Sequence, residues 1–217
     1  GYPNDVEKQE IRKLNYVSIL SAIYTIAKEN YKEIPISEYE KIPENDRKLF
    51  DLKLVGGQYE LKGKTYTLDL GINQLEVDYK DHNRFWYSSR VIDQGDLSTY
   101  YGYETLDASA HTIKPAKVYP EILDAMSTAK DLNTIELLKQ GYGYLRMNTV
   151  PPAALNSPLP LHIIGKNYEV PELRLQPGVN PTFFLEKNGV LEYAIINGFL
   201  MDLKQEMPTI PNAMIYR

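Results

Sequence analysis

Two Asn-Gly dipeptides, Asn188-Gly189 and Asn197-Gly198, punctuate three apolar-rich runs near the end of the chain, at 182–187, 190–196 and 199–204. Asn-Gly favours a type I′ turn, because both central residues of that turn need positive φ. Such a turn matches the twist of paired strands, so the segment predicts a three-stranded antiparallel meander. Weaker strand signals occur earlier. Residues 58–61 and 64–70 flank a Lys62-Gly63 turn, and 75–79 and 84–91 flank the tip Lys80-Asp81-His82-Asn83. Residues 161–164 and 168–170 form another candidate pair across Gly165-Lys166-Asn167.

Helical periodicity is strongest at the start. Residues 4–31 read as one long helix, with Asn4 or Asp5 as cap and Glu7 completing a capping-box pattern. Ile11, Leu14, Val17, Leu20 or Ser21, Tyr24, Ala27 and Tyr31 recur at spacings of three and four, and Tyr16, Ile19, Ile23 and Ile26 widen that stripe. Residues 7–13 are nearly all charged or polar, whereas 14–27 are apolar around most of the circumference. The second half is therefore expected to be buried. Helical pattern returns from Pro120, with Ile122, Leu123, Met126 and Ala129 on one face. Asn133-Thr134-Ile135-Glu136 then opens a short helix that Gly141 ends. The expected fold class is α+β: a long N-terminal helix packed on antiparallel sheet, a central helical pair, and the C-terminal meander. The 217 residues suit a single domain, with a subdomain boundary near 149–160, where Pro151, Pro152, Pro158 and Pro160 cluster.

Composition excludes several functions. The absence of cysteine removes disulfides, thiolate metal sites and a cysteine nucleophile. A net charge of −5, with no basic run longer than Arg12-Lys13, argues against a nucleic-acid partner. No segment reaches the roughly 18 unbroken apolar residues of a membrane span. The chain opens Gly1-Tyr2-Pro3 without an initiator Met. An apolar segment or signal peptide is therefore expected before residue 4, with membrane attachment through it and a periplasmic or extracellular location.

Candidate chemistry is sparse. The three histidines, His82, His111 and His162, lie in separate segments. Asp78, Asp81 and His82 sit in or beside a hairpin tip, where Asp and Asn serve turn geometry. Asp107, Ser109 and His111 bring three triad residue types within five positions, but triads draw their members from separated segments. No Gly-x-Ser-x-Gly elbow, dinucleotide fingerprint or phosphate loop occurs. No metal and no cofactor is expected. Residues 93–117 read as polar and irregular, and the loop 93–111 holds Asp93, Asp96, Glu104 and Asp107 around Tyr100, Tyr101 and Tyr103, in a chain with 18 tyrosines against 5 phenylalanines. Tyrosine suits partly exposed contact surfaces. Tyr100, Tyr101, Tyr103, Asp96 and Glu104 are the candidate binding residues, and no catalytic residue is assigned.

The charged stretch 7–13 runs into the apolar helix 14–27, which ends at Glu29-Asn30-Tyr31-Lys32-Glu33-Ile34-Pro35 before a β-rich region. This layout resembles the ectodomains of type IV pilin-like and pilus-assembly proteins. The resemblance covers about the first 70 residues. It implies a non-enzymatic extracytoplasmic domain of a surface-appendage or secretion assembly, acting by protein–protein contacts. The alternative is a hydrolase or carbohydrate-binding protein using the 93–111 carboxylates, with a glycan as ligand.

Overall fold

The computed structural model describes residues 5–42, 48–78, 85–150, 156–205 and 212–217. The chain divides into two compact units, 1–47 with 78–85, and 48–77 with 86–217. The proline-rich 149–160 stretch lies inside the second.

The first unit is built on α1 (Asp5–Ala27), followed by a single 3-10 turn at Asn30–Glu33 and by α2 (Ser37–Glu40). Glu29 leaves helical geometry at φ 57. The cap expected at Asn4 lies outside the described residues. The apolar residues of α1 are not buried: Leu14, Val17, Ile19, Leu20, Ile23 and Ile26 are 46–64% exposed. This corrects the expected helix-on-sheet layout. Apolar density says that side chains favour burial, but not which surface covers them. In the second unit the sheets cover one another's apolar faces.

That unit makes the protein mostly β, with 44% strand against 20% helix. In chain order its strands begin β1 (Leu49–Leu61) and β2 (Lys64–Asn73). A small ladder of β3 (Glu76–Asp78) and β4 (Phe85–Tyr87) follows; its tip, with His82, falls outside the described residues. Next come β5 (Arg90–Gly95), β6 (Tyr101–Asp107), β7 (Thr112–Pro115) and β8 (Lys117–Leu123). Two short helices, α3 (Met126–Lys130) and α4 (Thr134–Lys139), precede β9 (Tyr142–Met147) and β10 (His162–Gly165). The chain ends with β11 (Phe183–Lys187), β12 (Val190–Ile196), β13 (Phe199–Asp202) and β14 (Ile215–Tyr216).

An eight-stranded mixed sheet runs β13-β12-β11-β7-β1-β2-β5, with β6 also on β1. The long β1 holds β6 in parallel along Leu49 to Val55 and meets β7 at Gln58. The sheet curls until its far strands approach: a Cβ on Gly198, in the β12–β13 turn, would lie 2.6 Å from the Cβ of Ser89 and 3.1 Å from Ile72. A second sheet, β14-β10-β9-β8, is parallel throughout. The chain crosses from β8 to β9 through α3 and α4. Asn133 caps α4 by accepting from Glu136 N at 3.2 Å, and Gly141 follows the helix at φ +86. The expected helix from Pro120 is instead strand β8, and the proposed 161–164/168–170 hairpin is absent: β10 pairs in parallel with β9 and β14.

The meander β11–β12–β13 separates two cores. Phe183, Leu185 and Ile195 join Leu52, Leu54, Leu70, Ile72 and Val91 inside the curl. Phe184, Ala194 and Ile196 pack with Leu145, Met147 and Ile163 of the parallel sheet and with Leu161 just before β10. Because successive side chains of a strand point to opposite faces, a strand buried on both faces reads as a continuous apolar run.

Candidate functional site

The stretch expected to be an irregular loop is ordered as two strands and two tight turns. After β5, Asp96 turns the chain: its Oδ1 accepts from Ser98 N at 3.0 Å, and hydrogen bonds from the Ser98 hydroxyl and backbone hold its carboxyl below the usual range. The following turn is pinned from beneath. Lys53, buried on β1, donates through Nζ to Leu97 O at 2.7 Å and Tyr100 O at 2.9 Å. Asp69 of β2 accepts from Leu97 N at 3.1 Å through Oδ2 and from Gly56 N at 2.8 Å through Oδ1. The Tyr100 ring stacks on Phe50, with centroids 5.4 Å apart and planes 2° apart. Phe50 in turn covers Gly71, where a Cβ would come within 2.4 Å of the ring. Lys53 and Asp69 escape the sequence reading; the available signal is a lysine between Leu52 and Leu54 in an apolar run.

This base carries β6. The N–H of Tyr101 donates to Lys48 O at 2.7 Å, so alternation turns the N–H groups of Gly102, Glu104 and Leu106 toward the other edge. Among the described residues, β6 pairs only with β1. Tyr101 and Tyr103 stand on one face, 52% and 79% exposed, with Thr105 and Asp107 in the same alternate positions. Leu106, on the opposite face, packs against the inner core. Gly102 is required here: a Cβ would lie 2.7 Å from that of Lys53.

The structure places Tyr101, Tyr103 and Glu104 on this edge, with Asp96 and Tyr100 in the turn before it. Asp96 and Asp107 are each engaged in a local turn, with Ser98 and Ser109 respectively. Asp107 Oδ1 accepts from Ser109 N at 2.9 Å, and the Ser109 hydroxyl and backbone hold this carboxyl below its ordinary range. Glu104 is exposed. Among the described residues, no three His, Asp or Glu side chains converge as a metal site.

The triad-like Asp107-Ala-Ser109-Ala-His111 is a turn between β6 and β7, with His111 N donating to Ala108 O at 2.8 Å. The His111 ring is buried, and its Nε2 donates to Glu192 Oε2 at 3.0 Å, while Nδ1 has no hydrogen-bond partner among the described residues. Glu192 Oε1 pairs with Lys204 Nζ at 2.6 Å. Hydrogen bonds from Lys204 and then His111 hold Glu192 below the usual carboxylate range.

His162 has a structural role. Its Nδ1 accepts from Met214 N at 2.8 Å, which leaves Nε2–H to donate to Thr182 Oγ1 at 2.7 Å. Complete burial pushes its pKa down to about 3. Its ring stacks on Tyr144 at 4.9 Å, and burial pushes the Tyr144 phenol up to about 12. Thr182 passes the chain to Asn180 Oδ1 at 2.8 Å and accepts from Asn197 N at 3.2 Å. Asn197, fully buried, then uses its whole amide. Oδ1 accepts from Ser89 N and Asn180 Nδ2, while Nδ2 donates to Tyr87 O and Asn212 O. One turn residue thus ties three other segments, at 87–89, 180 and 212, to its own.

No protein-family model and no curated protein matches this chain. Solved structures give weak likenesses. An N-acyl-D-glutamate deacylase from Bordetella bronchiseptica, complexed with zinc and a phosphonate inhibitor, is 19% identical at a TM-score of 0.33, over 51% of this chain and 21% of that one. A D-aminoacylase described by its binuclear metal centre is 21% identical at a TM-score of 0.34, over 52% and 22%. The chain spans about a fifth of the length of these enzymes. Likenesses of this size carry no argument about fold or function, and the metals belong to those enzymes.

Proposed function

We propose that this chain is a non-enzymatic binding module of a larger assembly, and that it takes an extended segment of a protein partner along the open edge of β6. The observation that carries this reading is the state of that edge. Natural edge strands are blunted by lysine, proline, bulges or a covering element, because free N–H and C=O groups recruit other chains. β6, Tyr-Gly-Tyr-Glu-Thr-Leu-Asp, has no lysine and no proline, and it presents two exposed tyrosines beside outward N–H groups. Strand addition supplies main-chain hydrogen bonds, while side-chain contacts at alternate positions supply selectivity. Glu104 and Asp107 favour a partner segment bearing basic residues.

The test is site-specific photocrosslinking in the native host with benzoylphenylalanine at Tyr103. A discrete adduct is expected, absent when the probe stands at exposed Val190. Glu104→Pro removes an outward N–H while sparing the ladder to β1, so it should abolish the adduct with melting unchanged. An adduct indifferent to Glu104→Pro refutes strand addition.

A further inference from the structure

A cavity of about 680 Å³ opens elsewhere on the second unit, bounded by the ends of β7, β8 and α4 on one side and by the β11–β12 hairpin and β13 on the other. Four of its lining side chains are lysines: Lys114, Lys117, Lys139 and Lys204. The lining offers one carboxylate against them, Glu186, and Glu192, outside the lining, pairs with Lys204 at 2.6 Å. In a chain with 24 basic and 29 acidic residues, this concentration of ammonium groups runs against the overall balance. Like charges brought together on a folded surface repel one another, and a bound anion relieves that repulsion.

Two of the four lysines are held in place. Lys117 Nζ donates to Gln140 O at 2.8 Å. Lys204 is fixed by Glu192, which His111 braces from behind. Lys114 faces Glu186 at 3.6 Å, a loose contact that leaves its donors available. Lys139 is exposed in the last turn of α4. The interior between them is apolar, with Phe184 and Leu203 buried at the floor and Leu191 half-buried at the wall. Gly141 keeps the entrance clear: a Cβ there would lie 3.1 Å from Lys117 Cε and 3.2 Å from Leu191 Cδ1. A mostly apolar concavity of this volume with a few convergent polar groups is the usual form of a small-molecule site.

We infer that this cavity binds a small amphiphilic anion, its apolar body against Phe184 and Leu191 and its anionic head among the four lysines. The site is separate from the β6 edge and does not depend on it. An inorganic anion satisfies only the rim, and an uncharged or cationic amphiphile satisfies only the floor.

The experiment is calorimetric titration of the purified protein with octyl phosphate below its micelle concentration, beside inorganic phosphate and octyltrimethylammonium. Octyl phosphate is expected to bind once per chain, at least about tenfold more tightly than either control. Lys139→Glu should weaken it about tenfold, a loss of the size that reversing one charge near a bound anion gives at an exposed site. Lys139→Gln should weaken it less, and Lys62→Glu, at a lysine outside the cavity, should leave it unchanged. Lys139 and Lys62 are both exposed, so all three variants should melt as the parent does. No binding of octyl phosphate, equal binding of the cationic amphiphile, or indifference to Lys139→Glu each overturns the assignment. Anionic phospholipid vesicles separate two sources of the head group. Binding to vesicles but not to monomeric octyl phosphate would place the protein on a lipid surface and overturn the cavity site.

Discussion

Lys53 Nζ donates to the carbonyl oxygen of Tyr100 at 2.9 Å, across 47 residues of chain. The same ammonium holds Leu97 O at 2.7 Å, so a single buried cation on β1 sets the turn that starts β6. Lys53→Met keeps most of the stem and removes both donors. Leaving buried carbonyls unpaired costs about 1–3 kcal/mol, so the variant should unfold at lower denaturant concentration. It should also weaken crosslinking at Tyr103, because the edge loses its fixed origin. Parent-like denaturation of Lys53→Met would show that the turn holds without it.

Asn188 and Asn197 occupy equivalent turns, at φ 52 and 49, but only Asn197 is buried. Glycine accepts positive φ at either place. Asn188→Gly should therefore be nearly silent in urea denaturation. Asn197→Gly keeps the turn but strips hydrogen bonds from Ser89, Asn180, Tyr87 and Asn212, and should cost roughly 2–4 kcal/mol by the usual penalty for several buried groups left unpaired. Equal midpoints for the two variants would deny the network its structural weight.

His162 predicts a pH dependence. Its folded pKa, about 3, lies below the ordinary histidine value of 6.5, so the unfolded chain binds the extra proton first. The stability due to neutral His162 is complete above pH 6.5 and falls as pH drops from 6.5 toward 3, by up to ~1.4 kcal/mol per pH unit. Carboxylates titrate in the lower part of this window, so the comparison is with His162→Gln. The parent should lose more stability than the variant between pH 7.5 and 5. Parallel losses would mean that His162 is already charged in the folded protein or reached by water.

Leu20 and Phe184 make an opposed pair. Phe184 is fully buried between the meander and the parallel sheet, and Phe184→Ala should cost about 3–5 kcal/mol. Leu20 on α1 is 46% exposed, and Leu20→Asp should shift thermal melting of the β-rich unit by no more than the ~0.5 kcal/mol of an ordinary surface change. Unfolding of that unit by Leu20→Asp would restore the buried role that the sequence suggested for α1.

What the sequence made legible is what short-range chemistry encodes. The turns at Lys62-Gly63, Asn188-Gly189 and Asn197-Gly198 all take positive φ at both residues, and the Asn133 cap and Gly141 terminus act within one turn of α4. What escaped depends on distant partners. Pro120 resembled a helix start, yet β8 accommodates it where its register against β9 shifts between Val118 and Ile122. The parallel pairing of β9, β10 and β14 leaves no local mark, because each partner lies far along the chain. β6 reads as polar and irregular because a strand at an open edge needs little apolar periodicity. The tyrosines of the candidate site were visible in composition; Lys53 and Asp69, which aim them, were not.

The two Asn-Gly turns also set how the protein ages. Asn-Gly is the dipeptide most prone to deamidation, since the glycine nitrogen can attack the asparagine side-chain carbonyl, expel ammonia and close a succinimide ring that water opens to isoaspartate or aspartate. That attack needs the amide to swing free of its partners. Asn188 is exposed at a hairpin tip, whereas the Asn197 amide is engaged at both its oxygen and its nitrogen. Prolonged incubation at mildly alkaline pH should accumulate isoaspartate at 188 and spare 197, as read by peptide mass spectrometry. Damage at 197 would then appear only in molecules that have already opened, making that position a chemical record of past unfolding.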